Sequence, residues 1–113
     1  MNKDVHIDLL VSSERVKLHR LSDFKVGMKI SCDGEKSVPF DVSNTKLFID
    51  GKPCVVWDLT VQNGTLINLK ILCGKPAILE WPLGKGLFSD PGKYTLELKW
   101  QDISRIKKVT VEE

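Results

Sequence analysis

The sequence predicts an all-β chain, a two-sheet antiparallel sandwich of seven to nine strands, folded as one domain over residues 1–113. Three observations carry this. Apolar side chains recur at every second position in short runs, the period of an extended chain with one buried face. Turn-forming pairs rich in Gly, Pro, Asn and Asp separate the runs at intervals of about ten residues. A nine-residue connection, 84–92, precedes the last strand pair, as links that cross between two sheets do.

In chain order, residues 5–11 read as the first strand, with Val5, Ile7, Leu9 and Val11 on one face and His6 and Asp8 on the other. After a break at Ser12-Ser13-Glu14, Val16 and Leu18 continue the alternation weakly. Residues 24–32 hold the clearest strand: Phe24, Val26, Met28, Ile30 and Cys32 alternate with Lys25, Gly27, Lys29 and Ser31. A helix would spread those five apolar groups around its circumference. A charged loop, 33–36, leads to Val38-Pro39-Phe40, where Pro39 lacks a donor and so belongs at a sheet edge.

Leu47 and Ile49 form a short strand ending in Asp50-Gly51, a hairpin signal because both residues accept positive φ. Val55, Trp57, Leu59 and Val61 alternate on the expected return strand. Asn63-Gly64 is a second hairpin turn, followed by Ile67, Leu69, Ile71 and Cys73. Gly74-Lys75-Pro76 turns the chain into Ala77, Leu79, Trp81 and Leu83. Asp90-Pro91-Gly92 then opens a strand with Tyr94, Leu96, Leu98 and Trp100 on one face, and Val109 and Val111 face inward on the last. Trp57, Trp81 and Trp100 are expected as core anchors.

Asp90-x-Gly92-x-Tyr94-x-Leu96 resembles the tyrosine corner of immunoglobulin-like sandwiches. The resemblance implies a Greek-key fold in which the Tyr94 ring packs inside and its hydroxyl bonds back to nearby backbone. Leu96 stands where antibody domains carry their second cysteine, so the resemblance is to the broad class, of bacterial type. Residues 24–100 are also loosely similar to the intracellular proteinase inhibitor family of bacilli. The shared pattern is an alternating strand, Val38-Pro39-Phe40, a Trp-bearing strand and Pro-Gly-x-Tyr. No motif in it carries over reactive residues.

The charge balance argues against nucleic acid as a partner. Residues 1–56 carry nine basic and eight acidic side chains and residues 57–113 carry eight and seven, so no basic arm or face stands out. No apolar run reaches the length of a membrane helix, and residues 1–8 lack the apolar core of a signal peptide. The expectation is a cytoplasmic chain, with a secreted or periplasmic one as the alternative if a leader has been removed. Cys32, Cys54 and Cys73 fit no zinc spacing. They read either as three reduced buried thiols or as one disulfide and one thiol.

Chemistry-bearing residues are few. His6 and His19 are the only side chains of neutral ordinary pKa. A Cys32–histidine pair is the conceivable enzyme site, but the two residue types fall on opposite faces. No catalytic residue, metal ligand or cofactor is expected. Gly-Lys recurs at four turns, 51–52, 74–75, 84–85 and 92–93. If these share one end of the sandwich they make a basic rim for an acidic partner; otherwise Gly makes the turn and Lys keeps it soluble. Leu87-Phe88 either tucks under the sheet end or meets a partner. Asn63-Gly64-Thr65 fits an N-glycosylation acceptor.

The expected function is a non-enzymatic protein-interaction module, a monomer or weak dimer whose partner is another protein. Lys85, Leu87 and Phe88 are its candidate contact residues. The alternatives are a protease inhibitor presenting residues 84–90, and a small Cys/His enzyme.

Overall fold

The computed structural model describes residues 5–34, 36–62 and 69–113. In chain order its strands are β1 (Val5–Val11), β2 (Arg15–Lys17), β3 (Val26–Cys32), β4 (Ser37–Phe40), β5 (Lys46–Ile49), β6 (Lys52–Pro53), β7 (Leu69–Leu72), β8 (Ala77–Trp81), β9 (Gly92–Trp100) and β10 (Ile103–Glu112). Among the described residues, two helices, α1 (Val55–Val61) and α2 (Gly84–Leu87), and 3-10 turns at Leu18–Asp23 and Val42–Asn44 interrupt them. The Asn63-Gly64 turn, the Asn63-Gly64-Thr65 acceptor and Ile67 lie outside the described residues.

The strands form three sheets, in the orders β1-β3-β8, β2-β10-β9-β5-β6 and β4-β7. Among the described residues every pairing is antiparallel except β2 with the end of β10. The chain is thus mostly β, as the alternation predicts. The period-2 faces fall as expected: Val5, Ile7, Leu9, Met28 and Ile30 from the first sheet and Leu47, Leu96, Leu98, Val109 and Val111 from the second are buried in one apolar cluster. The long link crosses from β8 in the first sheet to β9 in the second.

One strand expectation is overturned. Residues 55–61 are helical, not the return strand of a hairpin. After the Asp50-Gly51 turn (φ 51° and 82°) the partner strand lasts only through Lys52 and Pro53. Cys54 then caps the helix, its sulfur accepting a hydrogen bond from the Trp57 backbone N–H at 3.4 Å. Cys54, Trp57 and Val61 are buried, one stripe at helical spacing, while Val55 and Leu59 are 66% and 72% exposed. Burying the Trp57 indole decided between two periods that the segment carries at once.

Asp50 clasps the second sheet together. Its backbone N–H donates to Thr95 O and its carboxylate accepts from the Thr95 N–H, both at 2.8 Å. Asp50→Ala should cost about 1–2 kcal/mol in urea unfolding, through the lost acceptor and the left-handed conformation that alanine disfavours. Asp50→Asn keeps both features and should cost less than half of that; equal losses would place the effect elsewhere.

The cysteines resolve as the second of their two readings. Cys32 at the end of β3 is bonded to Cys73 just after β7, and Cys54 is a buried thiol. The antiparallel pairing of β4 with β7 brings the two cysteines together: Cys73 N–H donates to Lys36 O and Gly74 N–H to Cys32 O. The bridge closes a loop with a sequence separation of 41 residues. Opening it by Cys32→Ala with Cys73→Ala should cost about 3 kcal/mol, because the unfolded chain regains the freedom that the loop removes. Reductant added to the wild type should lower its unfolding midpoint to that of the double variant and leave the variant unchanged.

Candidate functional site

Side chains left exposed by the second sheet make the best-formed surface. Alternation along β9 and β10 turns Leu96, Leu98, Val109 and Val111 inward, so Thr95, Glu97, Lys99, Ser104, Ile106 and Lys108 share the other face. The register aligns Ile106 with Glu97, Glu97 with Phe48 and Phe48 with Pro53, a row across four strands. Ile106 is 57% exposed. The Lys99 ammonium stands 5.1 Å from the Phe48 ring centroid and 3.9 Å from a Glu97 carboxylate oxygen. Glu97 also accepts from the Ser104 hydroxyl, and Lys46 meets Asp58 of α1 at 3.6 Å. An ordered, mixed apolar and charged face of this kind can bind by contact and hydrogen bonding.

The contact residues expected from sequence sit elsewhere. Lys85 is exposed on α2, Leu87 is half-buried, and Phe88 is buried. The Phe88 ring packs 4.6 Å from Tyr94 and 5.6 Å, edge-on, from Phe24. Leu87-Phe88 therefore takes the tucked form. Gly84 seats the segment: a Cβ there would lie 2.2 Å from Leu21 O. Residues 84–87 are one turn of helix rather than an extended loop.

The Tyr94 hydroxyl donates to Asp90 O at 2.7 Å. The Gly-Lys turns divide. Lys93 opens β9 at the end where Asp50 meets Thr95, which also brings Lys52 there, and Phe88 beside Tyr94 brings Lys85. Gly74 instead donates to Cys32 O, at the end of β3 paired with Val5, the opposite end of a molecule 46 Å long. Three lysine turns share an end and the fourth does not.

The Cys/His pairing is not assembled. Cys32 sulfur is bonded to Cys73, and His6 Nε2 meets Asp33 at 2.9 Å, both side chains being largely exposed. Cys54 is 6% exposed, and its burial, more than any neighbouring charge, pushes its thiol pKa up. A raised pKa leaves less thiolate at neutral pH than an ordinary thiol has, so native Cys54 should resist a disulfide reagent at pH 7 to 8 and react on unfolding in urea. Fast reaction in the native state would show that the thiol is accessible.

Among the described residues, no group of three His, Cys, Asp or Glu side chains could hold a metal ion, and no helix is long and apolar enough to cross a membrane. No family model matches this chain, and no curated protein matches it.

Sequence reasoning placed Val109 and Val111 inward but gave Ile106 no role, because parity says nothing of what stands in the neighbouring strands. The row with Glu97 and Phe48 depends on register between strands that are far apart in sequence.

Proposed function

We propose that the chain is a non-enzymatic protein-interaction module with an immunoglobulin-like arrangement of two sheets. Strand order supports the fold reading. Lettered by position in that fold, β1-β3-β8 reads A-B-E, and β2-β10-β9-β5-β6 reads A′-G-F-C-C′, the first strand being divided between the sheets. The Tyr94 bond to Asp90 O lies at the entry to the strand in the F position. The chain departs from antibody domains at Leu96, and its sulfur bridge joins Cys32 to Cys73 instead of the two central strands. A disulfide favours a secreted or periplasmic setting over the cytoplasm.

The observation that carries the functional reading is the row Ile106–Glu97–Phe48–Pro53 on the outer face of the five-stranded sheet. A rigid sheet presenting a partly apolar, charge-framed face suits another protein. The test is capture from an extract on immobilised wild type and on the Ile106→Glu/Phe48→Ser double variant, with circular dichroism melts to confirm that both fold. A species retained by the wild type at about 0.15 M salt and lost from the variant is expected. Equal retention would remove this face from the reading, and stoichiometric inhibition of a serine protease by the wild type would replace it with the inhibitor alternative.

A further inference from the structure

We propose that the groove between β1 and β10 binds an extended acidic peptide as an added strand on the free edge of β10. The proposal rests on the interaction-module reading and names the partner's chemistry.

The edge follows from register. Trp100 and Ile103 close a two-residue turn, so they exchange hydrogen bonds, and alternation makes Arg105, Lys107 and Val109 the bonded partners of β9. The backbone groups of Ser104, Ile106, Lys108 and Thr110 then point away from β9. Thr110 N–H bears this out, donating to Glu14 O beside β2 at 2.8 Å. But β2 covers only Thr110, Val111 and Glu112. Ser104 O is taken by the Arg105 guanidinium at 3.2 Å. Among the described residues, the N–H and C=O groups of Ile106 and Lys108 have no backbone partner.

A groove runs beside this edge because β1 pairs with β3 in the other sheet and the chain joins β10 only at β2. Its main cavity, about 420 Å³, is lined by Leu9, Lys29, Arg105, Ile106 and Lys107 among others, and a further cavity of about 150 Å³ continues it past Val11 and Glu14. The opposite wall is also an open strand edge. Ser12 N–H donates to Lys25 O, which continues the β1–β3 ladder, so Ile7, Leu9 and Val11 direct their backbone groups away from β3. Of these, Ile7 O is occupied by the Arg105 Nε–H at 3.0 Å.

Charge selects the occupant. Arg105 is matched by Asp8 at 3.5 Å, whereas Lys29, Lys107 and Lys108 have no carboxylate within ion-pair distance among the described residues. Lysines on an edge strand block its pairing with a second copy of itself, since like charges come opposite each other. An acidic strand turns that same guard into attraction, steering the encounter and setting the register. Main-chain hydrogen bonds would hold the peptide, and the exposed Ile106 would meet an apolar side chain of it.

The test uses three fluorescein-labelled hexapeptides followed by anisotropy: alternating Glu and Val, alternating Glu and Pro, and alternating Lys and Val. The Glu-Val peptide should bind, more tightly at low salt, and the other two at least tenfold more weakly. Lys107→Glu/Lys108→Glu, on an exposed edge that tolerates the change, should weaken Glu-Val binding about tenfold or more. Amide hydrogen exchange at Ile106 and Lys108 should slow when it binds. Equal binding of the Glu-Pro peptide, which matches the charge but lacks alternate donors, would overturn strand addition, as would unchanged exchange at those amides or no binding. Such a failure alongside intact capture that depends on Ile106 and Phe48 would sink this proposal alone; loss of that capture dependence would sink the sheet-face reading instead.

Discussion

Trp57→Ala is expected to destabilise the chain by about 4 kcal/mol, the upper part of the range for removing a large buried side chain. Trp57 is fully buried, and its ring meets Trp81 edge-on at 5.5 Å. Its indole N–H donates to Thr45 Oγ1 at 3.1 Å, and that hydroxyl, itself fully buried, donates to Val42 O at 2.7 Å. The substitution therefore removes three things together: packing volume, the aromatic contact, and a buried hydrogen bond. It also strikes the only large anchor of a seven-residue helix, a length that does not sustain itself in water. Urea unfolding with a slope of about 1–2 kcal/mol/M should show a midpoint lowered by roughly 2–4 M. Trp57→Phe keeps most of the volume and loses the N–H, and should cost about 2 kcal/mol. A Trp57→Ala cost below that of Trp57→Phe would mean that α1 is not anchored through this ring.

The same residue marks where sequence reasoning succeeded and where it stopped. Period-2 patterning located β1, β3, β8, β9 and β10, because each has one face against the common core and one toward solvent. Asp50-Gly51 was legible as a turn, since its two positive φ values suit few other pairs. The helix was not. Residues 54–61 place apolar groups at both strand and helix spacing, and only Thr45 and Trp81, distant in sequence, show which side of Trp57 must be enclosed. The sulfur bridge was open for a similar reason: three cysteines allow several outcomes, and the long-range pairing of β4 with β7 selects Cys32 with Cys73. For the candidate surface, parity identified which side chains face out. Edge exposure at Ile106 and Lys108 depends on where β2 begins, a fact of sheet order that no local pattern encodes.

Gly27→Ala is expected to cost about 3–4 kcal/mol, a large loss for one methyl group. Gly27 lies on the outward face of β3, where alternation suggests that any small or polar side chain would serve. The structure gives it a different neighbourhood. It pairs with Leu10 on one side and Glu80 on the other, and β8 comes so close that an added Cβ would lie 1.7 Å from Leu79 O and 2.8 Å from Glu80 Cα. Both are backbone atoms, so no rotamer change relieves the overlap. Either β8 withdraws, giving up ladder hydrogen bonds with β3 and loosening Leu79 and Trp81, or β3 is pushed toward β1. Because β8 is an edge strand, the first path meets less resistance. The expected signature is therefore local: amide exchange should accelerate along β8 and on Met28 and Ile30, while β9 and β10 keep theirs until global unfolding. Ser31→Ala, on the same face of the same strand, should cost less than about 0.5 kcal/mol. If Gly27→Ala proved equally mild, β8 would have to sit farther from β3 than the present register allows. Acceleration spread evenly over both sheets would mean that the β8 edge and the core unfold as one unit.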